Sequence, residues 1–248
     1  MCVVVICRQC VAEAPLVVGA NREEVYARGG TEPALRAAAV RFVAGLDPIA
    51  GGTWLGVNAL GVLVAVTNRS TKQRPPAPRS RGLLVRDLLA CPSAVAVVES
   101  AVRELATGGC AGCNLICADV NEAFVVEAAD APRLVPLTPG IHIVTTGNVD
   151  DGADPRIRFG LDWFARAEAR SVEHLLGSLT NYLATRTGPV PICLHDGARG
   201  TVSSTIVALT PRLDECRLFH AQGSPDRTPY VDRSELFAEL AAVPGEAP

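Results

Sequence analysis

Apolar positions in this chain recur with two different periods, and the way the periods alternate predicts the architecture. The first block, Cys2-Val3-Val4-Val5-Ile6, has no polar interruption, as expected of a strand covered on both faces. Ala14–Ala20 reads as a second strand, antiparallel to the first, delivering Asn21-Arg22-Glu23-Glu24 to the end of a sheet. Gly29-Gly30 breaks the chain. Leu35–Val43 is ambiguous, its alanines favouring helix and its β-rich surroundings favouring strand. Thr53–Asn58 and Val62–Asn68, turning at Gly61, form a hairpin that ends on Asn68.

After a proline-bearing loop at Arg69–Arg79 the period changes. Ser80 caps a helix through Leu89, and Ser93 caps another with Val95, Val98, Val102 and Leu105 on one face. Strands follow at Cys113–Ala118, Ala123–Glu127 and Ile141–Thr145, then a polar loop over Gly147–Gly152. Asp154 with Pro155 starts a helix through Glu168, and Ser171 starts one striped with Leu175, Leu176, Leu179 and Leu183. Strands return at Val190–Leu194, Ser203–Leu209 and Arg217–Ala221. Asp232 with Glu235 gives the capping-box pattern of a last helix.

Strands, a helix pair, strands, a helix pair and strands again predict an α+β, four-layer αββα sandwich: two antiparallel sheets packed together under helices on both outer faces. No repeat or linker divides the 248 residues, so one domain is expected over 1–242, with residues 243–248 as a disordered tail. The net charge is −3, basic runs are absent and aromatics are few, which argues against a nucleic-acid partner. Lys72 is the only lysine, a bias toward arginine that suggests a GC-rich bacterial coding sequence. An odd count of nine cysteines without regular spacing favours a reducing compartment. No apolar run reaches the roughly 18 residues of a membrane span. The N-terminus lacks a basic n-region and is interrupted by Arg8 and Glu13, so a cytoplasmic location is expected. Oligomeric state is left open.

The candidate chemistry begins at Cys2. Removal of Met1 would leave this residue with a thiol and a free α-amine on adjacent atoms. An amine with a pKa of about 8 can take the thiol proton without a separate histidine. Acyl transfer also needs donors for the developing oxyanion and a cation to hold the thiolate. Asn21, Arg22, Asn68, Gly147-Asn148 and Arg199-Gly200-Thr201 fall at strand ends, where a rigid scaffold displays such groups. Cys7-x-x-Cys10 and Cys110-x-x-Cys113 have zinc-ligand spacing, but Cys7 and Cys10 end a strand, Cys113 shares one with Cys117, and neither pair has a knuckle turn. No metal is expected there. Of the four histidines, His195, in His195-Asp196-Gly197, is the one placed to face a cleft.

Several blocks occur together in one order: Met1-Cys2, Ala20-Asn21-Arg22-Glu23-Glu24, Gly51-Gly52-Thr53-Trp54-Leu55-Gly56, Thr67-Asn68, Ser80-Arg81-Gly82, Leu137-Thr138-Pro139-Gly140 and Gly200-Thr201-Val202-Ser203-Ser204-Thr205. In that order and spacing the chain resembles the NRDE family from Met1 to about residue 220. The resemblance implies an N-terminal-nucleophile hydrolase fold and, more distantly, the amide-cleaving sites of bile-salt hydrolases and penicillin V acylases. It assigns Cys2, Arg22, Asn68 and Asn148 as the catalytic set; Asn21, Trp54, His195, Arg199 and Thr201 are the residues expected around a small-molecule ligand. Glu23 stands where the family usually has aspartate. Val202 replaces the arginine of its Gly-Thr-Arg-Ser-Ser block, with Arg199 as the nearby substitute. Hydrolysis of a C–N amide bond of a small acyl compound needs no cofactor. The alternative implied by the family is a non-catalytic carrier of haem or another hydrophobic molecule, with His195 or Cys2 as axial ligand. No Cys-x-x-Cys-His attachment motif is present, so such haem would be non-covalent.

Overall fold

The computed structural model describes residues 2–71, 75–167, 170–188 and 190–242. Two sheets of seven strands each are antiparallel throughout. The first runs β10 (Gly140–Val144), β1 (Val3–Arg8), β2 (Leu16–Val25), β12 (Arg199–Leu209), β13 (Arg217–Ala221) and β14 (Val231–Asp232), with β11 (His195–Asp196) also on β12. The second is a meander of β3 (Ala34–Arg36), β4 (Phe42–Ala44), β5 (Leu55–Asn58), β6 (Leu63–Asn68), β7 (Cys113–Ala118), β8 (Ala123–Ala128) and β9 (Pro132–Pro136).

The apolar run of β1 is explained by its neighbours. It lies between β10 and β2, and successive side chains enter different cores. Val3, Val5 and Cys7 pack under α3 (Pro155–Ala167) and α4 (Val172–Leu183), among Ile157, Phe164, Leu179 and Tyr182. Val4 and Ile6 face the second sheet and meet Leu55, Val57, Leu63, Ala65 and Ile116 in the central layer. On the far side, α1 (Arg81–Leu88) and α2 (Ala94–Ala106) cover β6, β7 and β8 through Leu84, Val85, Leu88, Val97 and Ala101. The result is the αββα sandwich. A short α5 (Glu235–Ala241) inserts Phe237 and Leu240 into the central layer. Gly19 lets α4 approach closely: a Cβ there would lie 3.0 Å from Leu179 Cδ2 and 3.1 Å from Leu183 Cδ1.

Several boundaries differ from the sequence expectation. Leu35–Val43 is not helical; it forms β3 and β4 around a bend, because pairing with β5 outweighs the helix preference of alanine. Strands β2 and β12 run on through polar residues because they pair with each other, Arg199 opposite Val25 and Thr201 opposite Glu23. Val190–Leu194 is a loop rather than a strand, with the amides of Ile192 and Cys193 both donating to the Thr185 carbonyl. Edge strand β9 went unseen because prolines bound it, a position that only an edge tolerates. Ser93 and Ser171 cap as expected, each accepting from an amide at 3.2 Å, whereas Ser80 makes no side-chain cap bond. The capping box at Asp232 does not form. Ser234 takes the N-cap place, and Asp232 Oδ1 accepts from its amide at 2.9 Å. Glu168 and the expected tail at 243–248 lie outside the described residues. No helix among the described residues is long and apolar enough to cross a membrane.

Candidate active site

Strand alternation sets the site. The β1–β2 register pairs Val4 with Ala20 and Val3 with Asn21, so one step further Cys2 comes opposite Arg22, on the face that looks toward the second sheet. Cys2, Arg22, Trp54 and Asn68 line one cavity of about 250 Å³ at the polar end of the inter-sheet layer. One wall is where the loop before β5 presses on the first turn of α1. A Cβ on Gly52 would lie 2.2 Å from the Gly82 carbonyl carbon, and Thr53 N donates to Gly82 O at 2.9 Å. This contact joins the Gly51–Trp54 block to the Ser80–Gly82 block and sets Trp54 beside the cavity.

Arg22 is buried and doubly held. Its Cζ lies 4.1 Å from the Trp54 ring centroid, a cation–π stack, and its Nη1 donates to Gly29 O. Burial pulls the guanidinium below its ordinary pKa, against the opposing charges of Glu24 and Asp47. The Cys2 thiol sits above its ordinary value, chiefly through burial and then through the charge of Glu23. A backbone bond from Glu23 and the Arg22 charge act the other way. Desolvation thus outweighs the Arg22 cation at this thiol, whereas the sequence expectation has Arg22 holding a thiolate.

The remaining expected residues separate into three groups. Asn68 is exposed at the end of β6 and opens on the Cys2 cavity. Asn148 is exposed on the loop after β10; it does not line that cavity, and its Oδ1 accepts from Arg69 Nη2. Below it sits Asn114, which the sequence reading did not single out. Fully buried, Asn114 donates to Gly147 O at 2.9 Å and accepts from Arg69 Nη1 at 3.1 Å, tying the loop to the second sheet. Thr67 Oγ1 adds a bond to Thr145 O at 2.5 Å.

Asn21 and Arg199 are not at the cavity. One residue before Arg22, Asn21 faces the helical layer, its Nδ2 donating to Leu183 O at 2.9 Å and Ile192 O at 3.3 Å. Arg199 is exposed at the start of β12, opposite Val25. His195 and Thr201 line a second cavity of about 300 Å³, of which Arg22 is also a wall. Thr201 is itself occupied: its Oγ1 accepts from Leu194 N at 2.9 Å. The zinc-spaced cysteines cannot converge, because Cys7 packs under α3 and α4 whereas Cys113 packs under α1 and α2. Burial pushes the Cys113 thiol up to about 12. Among the described residues, the grouping with the ligand types and closeness for a metal is Cys193, His195 and Asp226.

Comparison with known proteins bears on the family and the fold. The family model for Transport and Golgi organisation 2 matches residues 1–212. Transport and Golgi organization 2 homolog of Mus musculus is 31% identical over 227 residues, covering 77% of this chain and 81% of the mouse protein. Three solved structures share the fold. A Caenorhabditis elegans N-acylethanolamine-hydrolyzing acid amidase ortholog has a TM-score of 0.61 at 15% identity, covering 83% of this chain and 92% of its own. Penicillin V acylase from Agrobacterium tumefaciens has 0.59 at 14%, covering 95% and 87%. The mutant C2A conjugated bile acid hydrolase from Clostridium perfringens has 0.62 at 10%, covering 98% and 94%. At these identities the likeness extends to the fold and no further.

Proposed function

The chain belongs to the Transport and Golgi organisation 2 family, and from that premise we propose that it acts, once Met1 is removed, as a cysteine N-terminal-nucleophile hydrolase on a C–N amide bond of a small acyl compound. The observation that carries this reading is the placement of Cys2 opposite Arg22, on the inward face and lining a cavity with Asn68. An amide substrate would enter with its acyl carbon at Sγ. The α-amine takes the thiol proton as sulfur attacks, so the raised thiol pKa is met by a base on the same residue. Negative charge then develops on the former carbonyl oxygen, and the amide of Asn68, which lines the same cavity, donates to it. Asn148, the second donor expected from the resemblance, lies outside the cavity on a loop held by Arg69 and Asn114, and this step is assigned to Asn68 alone. The tetrahedral species expels the amine with the proton carried by the α-amino group. Water hydrolyses the resulting thioester and restores the thiol.

The cavity lining supports a polar substrate better than a hydrophobic cargo. Besides Arg22 it carries Glu24, Arg28, Asp47, Arg79 and Arg81. Apolar pockets are the rule for carriers of flat hydrophobic molecules. At His195, one of the two residues expected as a haem ligand beside Cys2, Asp226 already faces Nε2 at 3.0 Å.

The test has two parts. Intact-mass measurement of protein from the native host is expected to show loss of Met1. The processed protein is then assayed for amine release from a panel of N-acyl amides, with turnover expected in the wild type. Retained Met1, or a processed protein that turns over no amide, overturns the proposal. A parallel haem titration is expected to give no saturable Soret change.

A further inference from the structure

Outside the Cys2 cavity, a thiol, an imidazole and a carboxylate converge at the edge of the second cavity. Cys193 Sγ lies 3.1 Å from Asp226 Oδ1 and 3.8 Å from His195 Nε2. That same His195 nitrogen lies 3.0 Å and 3.1 Å from the two carboxylate oxygens of Asp226. The backbone around them is fixed. Cys193 N donates to Thr185 O at 2.8 Å, and Leu194 and Thr201 exchange bonds across the turn that holds His195. Asp226 sits in a turn closed by Thr228 N donating to Ser224 O at 2.8 Å.

We propose that Cys193, His195 and Asp226 bind a zinc-type divalent transition-metal ion, whose fourth position opens on the cavity that His195 lines. The proposal does not depend on any chemistry at Cys2. Bond lengths of about 2.3 Å to sulfur and 2.0–2.2 Å to nitrogen and oxygen, at tetrahedral angles, place ligand atoms roughly 3.3–3.6 Å apart. The separations in the structure, 3.0 to 3.8 Å, bracket that range, so a metal needs only a small adjustment of side chains. A soft sulfur beside an imidazole selects zinc-like ions over magnesium or calcium. Three protein ligands with an open position match exchangeable zinc sites rather than closed structural ones. Binding displaces the thiol proton to solvent, and the thiolate and carboxylate together balance the dication. Arg227 Nε and Arg186 Nη1 lie 3.8 and 4.0 Å from Asp226 Oδ2, at the rim, where they favour an anionic or hydroxide fourth ligand.

The full chain, stripped with a chelator and titrated with Co²⁺, tests this. One equivalent is expected to give a near-ultraviolet thiolate-to-cobalt charge-transfer band and intense visible bands of a tetrahedral ion, both abolished by Zn²⁺. Cys193→Ser should remove the charge-transfer band. His195→Gln and Asp226→Asn should weaken binding beyond the roughly 10–100-fold cost of losing an outer-shell partner. The bands should survive in Cys2→Ala and Cys7→Ser. His195→Gln changes a half-buried side chain, so it answers the question even if Cys193→Ser does not fold. Absence of the band in wild type at micromolar Co²⁺, or a band unaltered by His195→Gln, overturns the site.

Discussion

At the end of β2 two polar networks lie back to back, one residue apart. Arg22 looks into the space between the sheets, and its predecessor Asn21 looks out to the helices. The outer network is the more densely bonded of the two, although Asn21 Oδ1 and Arg156 Nε have no partner among the described residues. Asn21 bonds the carbonyls of Leu183 and Ile192, Glu23 pairs with Arg156, and Arg156 Nη2 reaches Ile192 O at 3.1 Å. Each of these groups stitches β2 to α3, α4 or the loop that follows α4. The inner network is open. Arg22 gives Nη1 to Gly29 and a face to Trp54, while its remaining surface forms the walls of two cavities. A densely bonded network of buried polar groups serves stability, because each partner removed leaves another stranded. An open one has capacity for a ligand. Substitutions on the inner side should therefore change activity, and those on the outer side should change folding.

The largest expected effect is on the inner side. Cys2→Ala should abolish amide turnover by at least ~10³-fold, since loss of a nucleophile removes a step and not merely a contact. Thermal unfolding should move little, because Cys2 precedes the first paired residue of β1. Amine-release kinetics beside a melting curve separate the two. Full activity in the variant would break the comparison at its inner half.

Next in size is the Glu23–Arg156 ion pair, whose Glu23 also borders the Cys2 cavity. The Glu23 side chain is 2% exposed and its Arg156 partner 12%. Glu23→Ala leaves a buried guanidinium uncompensated and should cost about 3–5 kcal/mol in urea unfolding. Asn21→Ala is milder. It removes two donors from carbonyls at the end of α4 and in the following loop, at a cost of about 2 kcal/mol. Its effect on turnover should be no more than its effect on the folded fraction. A large loss of kcat with unchanged stability would place Asn21 in the site after all.

The two faces also show what the sequence made legible. Alternation along an unbroken β-branched run is enough to send Cys2 and Arg22 the same way, and the Asn-Arg-Glu-Glu block ties them to a known pattern. Asn21 belonged to the same block, but one residue of offset reverses its face, and no composition signal reports that before the register is fixed. Trp54 is legible through the Gly51–Gly56 block of the resemblance, and Asn68 because it ends the second strand of a hairpin. Asn114, which holds the Asn148 loop, was hidden as a polar residue inside an otherwise apolar strand. Asp226 had no signal either. It lies 31 residues from His195, and only the fold brings the two together. The capping box at Asp232 failed for a local reason, since Ser234 competes for the same role.

The smallest expected effect concerns the loop that carries Asn148. Asp150, two residues beyond Asn148, accepts from Ile143 N at 2.8 Å and lies 2.6 Å from His142 Nδ1; the other ring nitrogen lies 2.9 Å from Thr138 O. Two acceptors flank one ring, so the imidazolium, with two N–H donors, fits better than neutral imidazole. The Asp150 bond accordingly raises the His142 pKa above its ordinary value, against the cost of burial. The sign follows by linkage. A folded pKa above the unfolded one contributes stability fully present below about pH 6.5, and that stability is lost as pH rises through the folded value. Above it, one of the two bonds must go, at a cost of about 1 kcal/mol. His220 titrates oppositely, its pKa depressed chiefly by burial, but it is common to both proteins in the comparison that isolates His142. Urea unfolding of wild type and His142→Gln between pH 6 and pH 9 should show the difference between them shrinking as pH rises. A difference that is constant or grows would mean that His142 is neutral in the folded chain and that the loop bearing Asn148 is held without it.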